Sequence, residues 1–445
     1  MGDSIAALQR QFTTGQKGRH ARHETMKRAI SALAAYVYPH DTAQEERRQA
    51  SAFLLLCTIG GLAIFSSTIA KNPVLPLLAQ ELGAHEGTIG WVAAASTLTG
   101  ILASLPAGLL SDRWGRRRLL LAAGIVFVSA PPAYVLVATP AQLAVVRAYH
   151  GLATAVLGPV AMAYVADLAP THRGARLGWY ASTTLAGRAL APVAGGALLA
   201  LGPWPWVYAL CGMAGGLAFL GMWWLPNAQA NPPPTAEESA RTSADSTQMS
   251  LWAILSHRTI LVTSVAEASQ FLAFGAVEAF LPLYALSVGV DTATVGLLFG
   301  AQIGVKTLAR PLMGKVSDRH GRTRQIVLGL MLTGLATALF PQTRMAPILL
   351  VLSAGFGLGI AIASAATSAF VADLAPEHGR GTALGTMSTI MDVGQACGPI
   401  LLGMLLMRLG YPVGFAVIGA LVMGAAALFA LTATDILPLQ TPKEE

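Results

Sequence analysis

Eight charged side chains stand inside long apolar runs of a chain that is only 11% charged. They are Lys71, Arg147, Arg188, Glu267, Glu278, Lys306, Arg310 and Asp392. An ionised group at the centre of a membrane-spanning helix costs roughly 2.5–3.5 kcal/mol on insertion scales, so such groups mark ion pairs, substrate contacts or proton paths. Lys71 and Glu278 lie near the far ends of their runs and have the types for an ion pair that closes one face. Separate snorkelling of each to the interface is the plainer reading. Glu267 and Asp392 each lie well inside a run, where a carboxylate can take up and release a proton. The alternative for either is a static pair with a cation, and for Asp392 that cation is Lys306 or Arg310. Arg310 precedes Pro311 near one end of its run and reads as structural. The excess of cations over carboxylates suits an anionic or zwitterionic substrate better than a lipophilic cation.

A second set of charges lies between the runs. Gly108-Leu-Leu-Ser-Asp112-Arg113-Trp-Gly115-Arg116-Arg117-Arg118 is echoed by Gly314-Lys-Val-Ser-Asp318-Arg319-His-Gly321-Arg322-Thr-Arg324, 206 residues later. An aspartate at a helix end can accept from the exposed N–H groups of a neighbouring helix start. Asp112 is expected to meet the chain near Thr382, and Asp318 the chain near Ala175, while the flanking arginines pair with Asp167 and Asp373. Gly115 and Gly321 fit a turn at positive φ. Such a latch would close one face and break when that face opens. The plainer reading is a basic loop that sets orientation alone.

These residues need helices to position them. The chain has 445 residues, 54% hydrophobic, with 46 Gly and 25 Pro. A bilayer core takes about 20 apolar residues per helix, and runs of that kind predict twelve spans. Six lie near 52–75, 87–110, 118–138, 141–165, 175–201 and 206–225, and six near 258–285, 292–313, 325–342, 346–370, 382–408 and 412–433. The predicted domains are a basic N-terminal tail (1–51), a six-helix bundle (52–225), a Pro-rich linker (226–257), a second bundle (258–433) and a polar tail (434–445). Residues 24–38 could form an amphipathic surface helix. Lys and Arg collect in alternate loops, which predicts cytoplasmic termini and linker. No cleavable signal, nucleotide loop, nucleophile elbow or metal cluster is visible, so no cofactor, metal, enzyme activity or nucleic-acid partner is expected. Cys57, Cys211 and Cys397 sit singly in apolar runs.

The two bundles repeat each other in parallel. Leu75-Pro76-Leu77 matches Leu281-Pro282-Leu283, Gly90 matches Gly296, and Tyr164–Ala169 matches Phe370–Ala375, all offset by 206. Gly187, Pro192 and Gly196 match Gly394, Pro399 and Gly403 at an offset of 207, and Arg188 matches Gln395. Even numbers of spans per half make the repeat parallel.

These motifs resemble the Major Facilitator Superfamily over residues 52–433. The doubled loop resembles that family's loop 2–3 signature. Leu143…Arg147-Ala-Tyr-His150-Gly151 resembles its helix-4 motif, with His150 where Gln is usual. Gly178, Gly187, Pro192, Gly195 and Gly196 resemble the helix-5 motif of its proton-coupled antiporters, with Ala191 replacing the usual Gly before the Pro. The resemblance implies an all-α, multi-pass protein of the bacterial inner membrane, with twelve helices in two pseudo-symmetric bundles. It implies alternating access and a gating role for the doubled loop, and it places Arg147 in proton coupling. Helices 1, 4, 7 and 10 would line the cavity, so Lys71, Arg147, Glu267 and Glu278 are best placed. The first expectation is proton-coupled efflux of a small organic molecule. The alternatives are uptake of an anion, sugar or chelated metal, and a non-transporting sensor or scaffold whose basic tail binds a partner.

Overall fold

The computed structural model describes residues 39–168, 173–226, 257–375 and 379–434. The predicted surface helix, most of the linker and the C-terminal tail lie outside these residues. The chain divides into two units, Met1–Leu54 and Leu55–Glu445. The described part of the first is helical from Pro39. All contacts below belong to the second.

Every regular element among the described residues is helical. They are α1 (Pro39–Ile69, followed by a short helix Val74–Glu81), α2 (Glu86–Trp114), α3 (Arg116–Val135), α4 (Pro140–Asp167), α5 (Arg173–Leu201) and α6 (Pro205–Trp224). Then come α7 (Arg258–Ser287), α8 (Thr292–His320), α9 (Arg322–Leu339) and α10 (Ala346–Leu374). A single helical run, Arg380–Thr434, ends the described chain. Its 55 residues are more than twice what one crossing needs. It breaks at Gly410, with φ 69° and ψ 174°, so the parts before and after are α11 and α12. Twelve crossings result. Trp223, Trp224, Leu102, Leu308 and Val351 are among the large apolar side chains left exposed, as a lipid-facing surface requires.

Local chemistry sets the helix ends. The α2 start is capped by the His85 ring, which accepts from the Thr88 amide at 3.3 Å, and the α8 start by Asp291, which accepts from the Thr294 amide at 2.9 Å. Thr139 and then Pro140 open α4. Helices α2 and α8 run on through the charged loops, past their predicted ends, because no breaker intervenes before Gly115 (φ +91°) and Gly321 (φ +89°). The first span departs most from expectation. Pro73 supplies no N–H and disfavours helix in the residue before it, so the helix stops at Ile69 and restarts at Val74.

Glycines decide how the helices pack. Within the halves, a Cβ on Gly187 would lie 2.3 Å from the Gly61 carbonyl oxygen, and one on Gly394 would lie 2.2 Å from that of Ala268. Helix α5 thus lies on α1 as α11 lies on α7. Between the halves the contacts come in symmetric pairs. A Cβ on Gly90 would meet the Pro399 oxygen at 2.3 Å, and its repeat equivalent on Gly296 the Pro192 oxygen at 2.5 Å. Gly403 against Glu86 and Gly196 against Thr292 repeat the match, each at 2.5 Å. Helix pairs α2–α11 and α5–α8 therefore touch backbone to backbone, which only residues lacking a side chain allow. All four contacts lie toward the face where α2 and α8 begin, opposite the charged loops.

Gly398 gives the sharpest test of this packing. A Cβ there would fall 2.0 Å from the Leu272 backbone oxygen, whereas one on Gly385 has open space around it. Gly398→Ala is expected to destabilise the protein by about 1–3 kcal/mol, and Gly385→Ala to stay within about 0.5 kcal/mol of wild type. Thermal unfolding of the purified protein in detergent checks the contrast.

Candidate functional site

The charged loops form two equivalent knots. Arg116, at the start of α3, donates to the Asp112 carboxylate, to the Ser111 hydroxyl at 2.6 Å and, through Nε, to Asp167 at 3.2 Å. One guanidinium thus ties the ends of α2, α3 and α4. Arg322 does the same in the other half, with Asp318 at 3.2 Å and Asp373 at 2.5 Å. Every one of these bonds stays within its own half. The expected reach of Asp112 to α11 and of Asp318 to α5 is not made, and the two carboxylates are 61% and 63% exposed. The four glycine contacts between the halves all lie toward the opposite face. Arg113 and Arg319 are exposed and in no ion pair among the described residues. Arg176 and Arg380, at the starts of α5 and α11, instead cap the carbonyls of Leu168 and Ala372 at 3.0 and 3.1 Å.

At the opposite face Lys71 and Glu278 are brought together as an ion pair. Lys71 sits in the interruption after α1. Its neighbour Asn72 donates to the other Glu278 oxygen at 2.6 Å. Asn72 and Glu278 are repeat equivalents, so this contact lies on the axis relating the halves. Gly195 of α5 packs on the same interruption, with the Asn72 oxygen 3.2 Å from where its Cβ would be. Gly187 and Gly196 are packed as described, Pro192 is buried against Gly296, and Gly178 meets nothing within 4 Å. The helix-5 motif is therefore a packing motif on its outer part only.

Between the two faces lie the remaining charges. Glu267 on α7 is 1% exposed and accepts from the Thr367 hydroxyl of α10 at 2.8 Å. Lys306 and Arg310 of α8 lie within its electrostatic range, but neither forms an ion pair with it. Lys306 instead stands over two rings of α7, with Nζ 5.0 Å from the centroids of both Phe271 and Phe274. Arg188 on α5 is exposed, in no ion pair among the described residues, and within range of both Lys71 and Lys306. Arg147 on α4 is buried, donates weakly to the Tyr134 hydroxyl at 3.5 Å, and has an unpartnered Nε.

Asp392 departs from its expected place. It is half-buried and has neither Lys306 nor Arg310 as a neighbour. Gly394 turns the α11 backbone onto α7, and Asp392, two residues earlier, is about 200° round the helix from that contact. It therefore faces away from α7.

The matching family model, Major Facilitator Superfamily, covers residues 56–301 and again 263–445. The chain belongs to that superfamily. Both halves match one model, as the internal repeat requires. An uncharacterised MFS-type transporter of Methanocaldococcus jannaschii is 25% identical over 340 residues, covering 76% of this chain and 87% of the relative. The multidrug transporter MdfA of Yersinia pestis is 28% identical over 296 residues, covering 63% and 70%. The fold matches the crystal structure of a bacterial homologue of the lysosomal transporter Spinster, with a TM-score of 0.70 at 16% identity, over 87% and 96% of the two chains. The protein is thus a multi-pass membrane transporter of small molecules, in a family of transporters rather than enzymes.

At this Major Facilitator site Gln270, Gln302, Tyr134 and Tyr208 escaped the sequence reading, while His150 entered it only as part of the helix-4 motif. Gln270 and Gln302 are fully buried, and neither amide has a partner. Tyr134 stacks on Tyr208 at 4.5 Å, and His150 sets its ring edge-on to Tyr134 and Phe127 at 5.8 and 5.7 Å. Together they wall in Arg147. Uncharged polar residues in an apolar run give a weak signal, although Gln270 one turn after Glu267, and Gln302 one turn before Lys306, could have been read as a shared face.

The Lys71–Glu278 pair has a distinctive thermodynamic signature. Removing one member leaves a buried charge uncompensated, at a cost of about 3–5 kcal/mol, whereas replacing both is close to neutral. Lys71→Met and Glu278→Gln are each expected to lower the unfolding temperature clearly, and the double variant to recover most of the loss. Additive losses would mean that the pair is not coupled.

Proposed function

We propose that the protein exports a small organic molecule in exchange for protons, with Glu267 as the proton carrier. The observation that carries this reading is the setting of Glu267. It is a carboxylate sealed inside the bundle, held by one hydroxyl from α10 and faced by Lys306 and Arg310 without a fixed ion pair. A buried carboxylate not locked to a cation can change its protonation state during a cycle. Asp392, half-exposed and remote from the cations, is the weaker candidate. The efflux direction is supported by relatives described as multidrug transporters and by the helix-5 motif.

In this account the halves 52–225 and 258–433 rock against each other across the interface that holds Asn72 and Glu278. Both termini and the charged loops face the cytoplasm of a bacterium in this reading, and the exposure of Asp112 and Asp318 supports a state open to that side. Proton entry from outside requires the Lys71–Glu278 pair and the four glycine contacts to part, and the Asp112 and Asp318 ends to close. Arg147, beside the pair, would respond to its opening.

Everted vesicles and a panel of labelled dyes and antibiotics provide the test. Glu267→Gln is expected to abolish accumulation driven by the proton gradient, and whatever substrate-for-substrate exchange remains is expected not to respond to an imposed gradient. Asp392→Asn is expected to keep gradient-driven accumulation. Retention of proton dependence in Glu267→Gln would remove that residue from the mechanism.

A further inference from the structure

The central charges do not balance. Lys71, Arg147, Arg188, Lys306 and Arg310 lie within electrostatic range of one another or of the two carboxylates Glu267 and Glu278. Glu278 is committed to Lys71 and Asn72. Glu267 accepts from the Thr367 hydroxyl, which leaves its charge in place, and forms no ion pair with Lys306 or Arg310. Asp392, which the sequence suggested as a third counter-charge, points away. Lys306 and Arg188 are therefore left without a carboxylate partner among the described residues, on facing helices of different halves.

Their placement gathers groups of particular chemistry between the halves. Arg188 is one turn before Pro192 and two before Gly195 and Gly196, on the face of α5 that touches α8 and the α1 interruption. It thus lies directly below the closed contact, in the space the halves enclose. Lys306 is one turn beyond Gln302 on α8, and its ammonium is held over the rings of Phe271 and Phe274. The same face of α7 carries Glu267, Gln270, Phe271 and Phe274. The amides of Gln270 and Gln302 are fully buried with no partner on either atom. Buried amides without partners are costly and call for a ligand that supplies hydrogen bonds.

We infer that the substrate is a zwitterion, an apolar body bearing one carboxylate and one amine. Its carboxylate lies between Arg188 and Lys306, its amine reaches Glu267, and the amides of Gln270 and Gln302 hydrogen-bond to it. A guanidinium and an ammonium from opposite halves grip one anion, so binding also draws the halves together. Phe271 and Phe274 flank the apolar body. The inference rests on the reading of Glu267 as a proton carrier in one respect: a proton arriving on Glu267 removes the negative charge that holds the amine, which gives exchange rather than co-transport. A purely cationic substrate would face the unpaired Arg188 and Lys306 and be repelled.

The test measures binding without any gradient, so its outcome is independent of proton coupling. The full chain in detergent is mixed with para-aminomethyl biphenyl carboxylate, a zwitterion, or with its methyl ester, which keeps the amine and loses the anion. The zwitterion is expected to raise the unfolding temperature at concentrations at least tenfold lower than the ester. Arg188→Gln and Lys306→Gln should each erase that preference, and Arg188→Lys and Lys306→Arg should retain most of it. The retaining variants guard against loss of binding through misfolding. Equal or tighter binding of the ester, no binding of the zwitterion at millimolar concentration, or an unchanged preference in both Gln variants would overturn the inference. If the preference holds while Glu267→Gln still couples to protons, the proton-carrier reading fails and the anion site stands.

Discussion

Four backbone contacts between glycines and their facing carbonyls govern this structure. Gly90 on Pro399 and Gly296 on Pro192, with Gly403 on Glu86 and Gly196 on Thr292, are two contacts written twice by an internal repeat. Each brings helices of different halves closer than any side chain would permit. Because all four lie toward one face, they fix where the halves touch, and hence where they separate. The Lys71–Glu278 pair lies among these contacts, at the interruption that Pro73 imposes on the first span. A hinge of bare backbone can part and re-form with little side-chain rearrangement, whereas interlocked side chains would have to repack.

The opposite face is built on a different principle. There each half is tied to itself by one arginine, Arg116 or Arg322, which binds two carboxylates and joins three helix ends. Ion pairs at an aqueous face are individually worth little. Their value here is geometric: each ties three helix ends of one half together. The same carboxylates, Asp112 and Asp318, remain largely exposed while paired. Between the rigid ends lie the unbalanced cations and Glu267, a fully buried carboxylate in no ion pair among the described residues. The middle of the protein is where charge can change without breaking the frame.

Much of this was legible in the sequence. The doubled Asp-Arg-x-Gly-Arg loop, the offset of 206 and the alternation of basic loops each depend on local residue types, and together they gave twelve spans, a parallel repeat and the superfamily. The Lys71–Glu278 contact was also legible, because two opposite charges at matching depth have few other partners in an apolar medium. What could not be read depends on rotation about helix axes. Asp392 and Glu267 look alike in sequence, yet Gly394 turns one away from α7 while Thr367 holds the other inside. Nor does sequence state which contacts a given conformation holds, and the expected bonds of Asp112 and Asp318 to the other half are not among those made here. The break at Ala70–Pro73 did carry a signal in Asn72-Pro73, and the run of apolar residues around it concealed that.

The central claim is that the glycine contacts part as the charged-loop ends close, so that the two faces open alternately. Distances between spin labels on repeat-equivalent exposed positions measure this directly: Glu81 with Ser287 at the glycine-packed face, and Arg118 with Arg324 at the charged-loop face. On acidification in lipid, the account predicts that the first distance lengthens as the second shortens, in the same molecules and with the same midpoint. A change at one face alone, or no change at either, would contradict it.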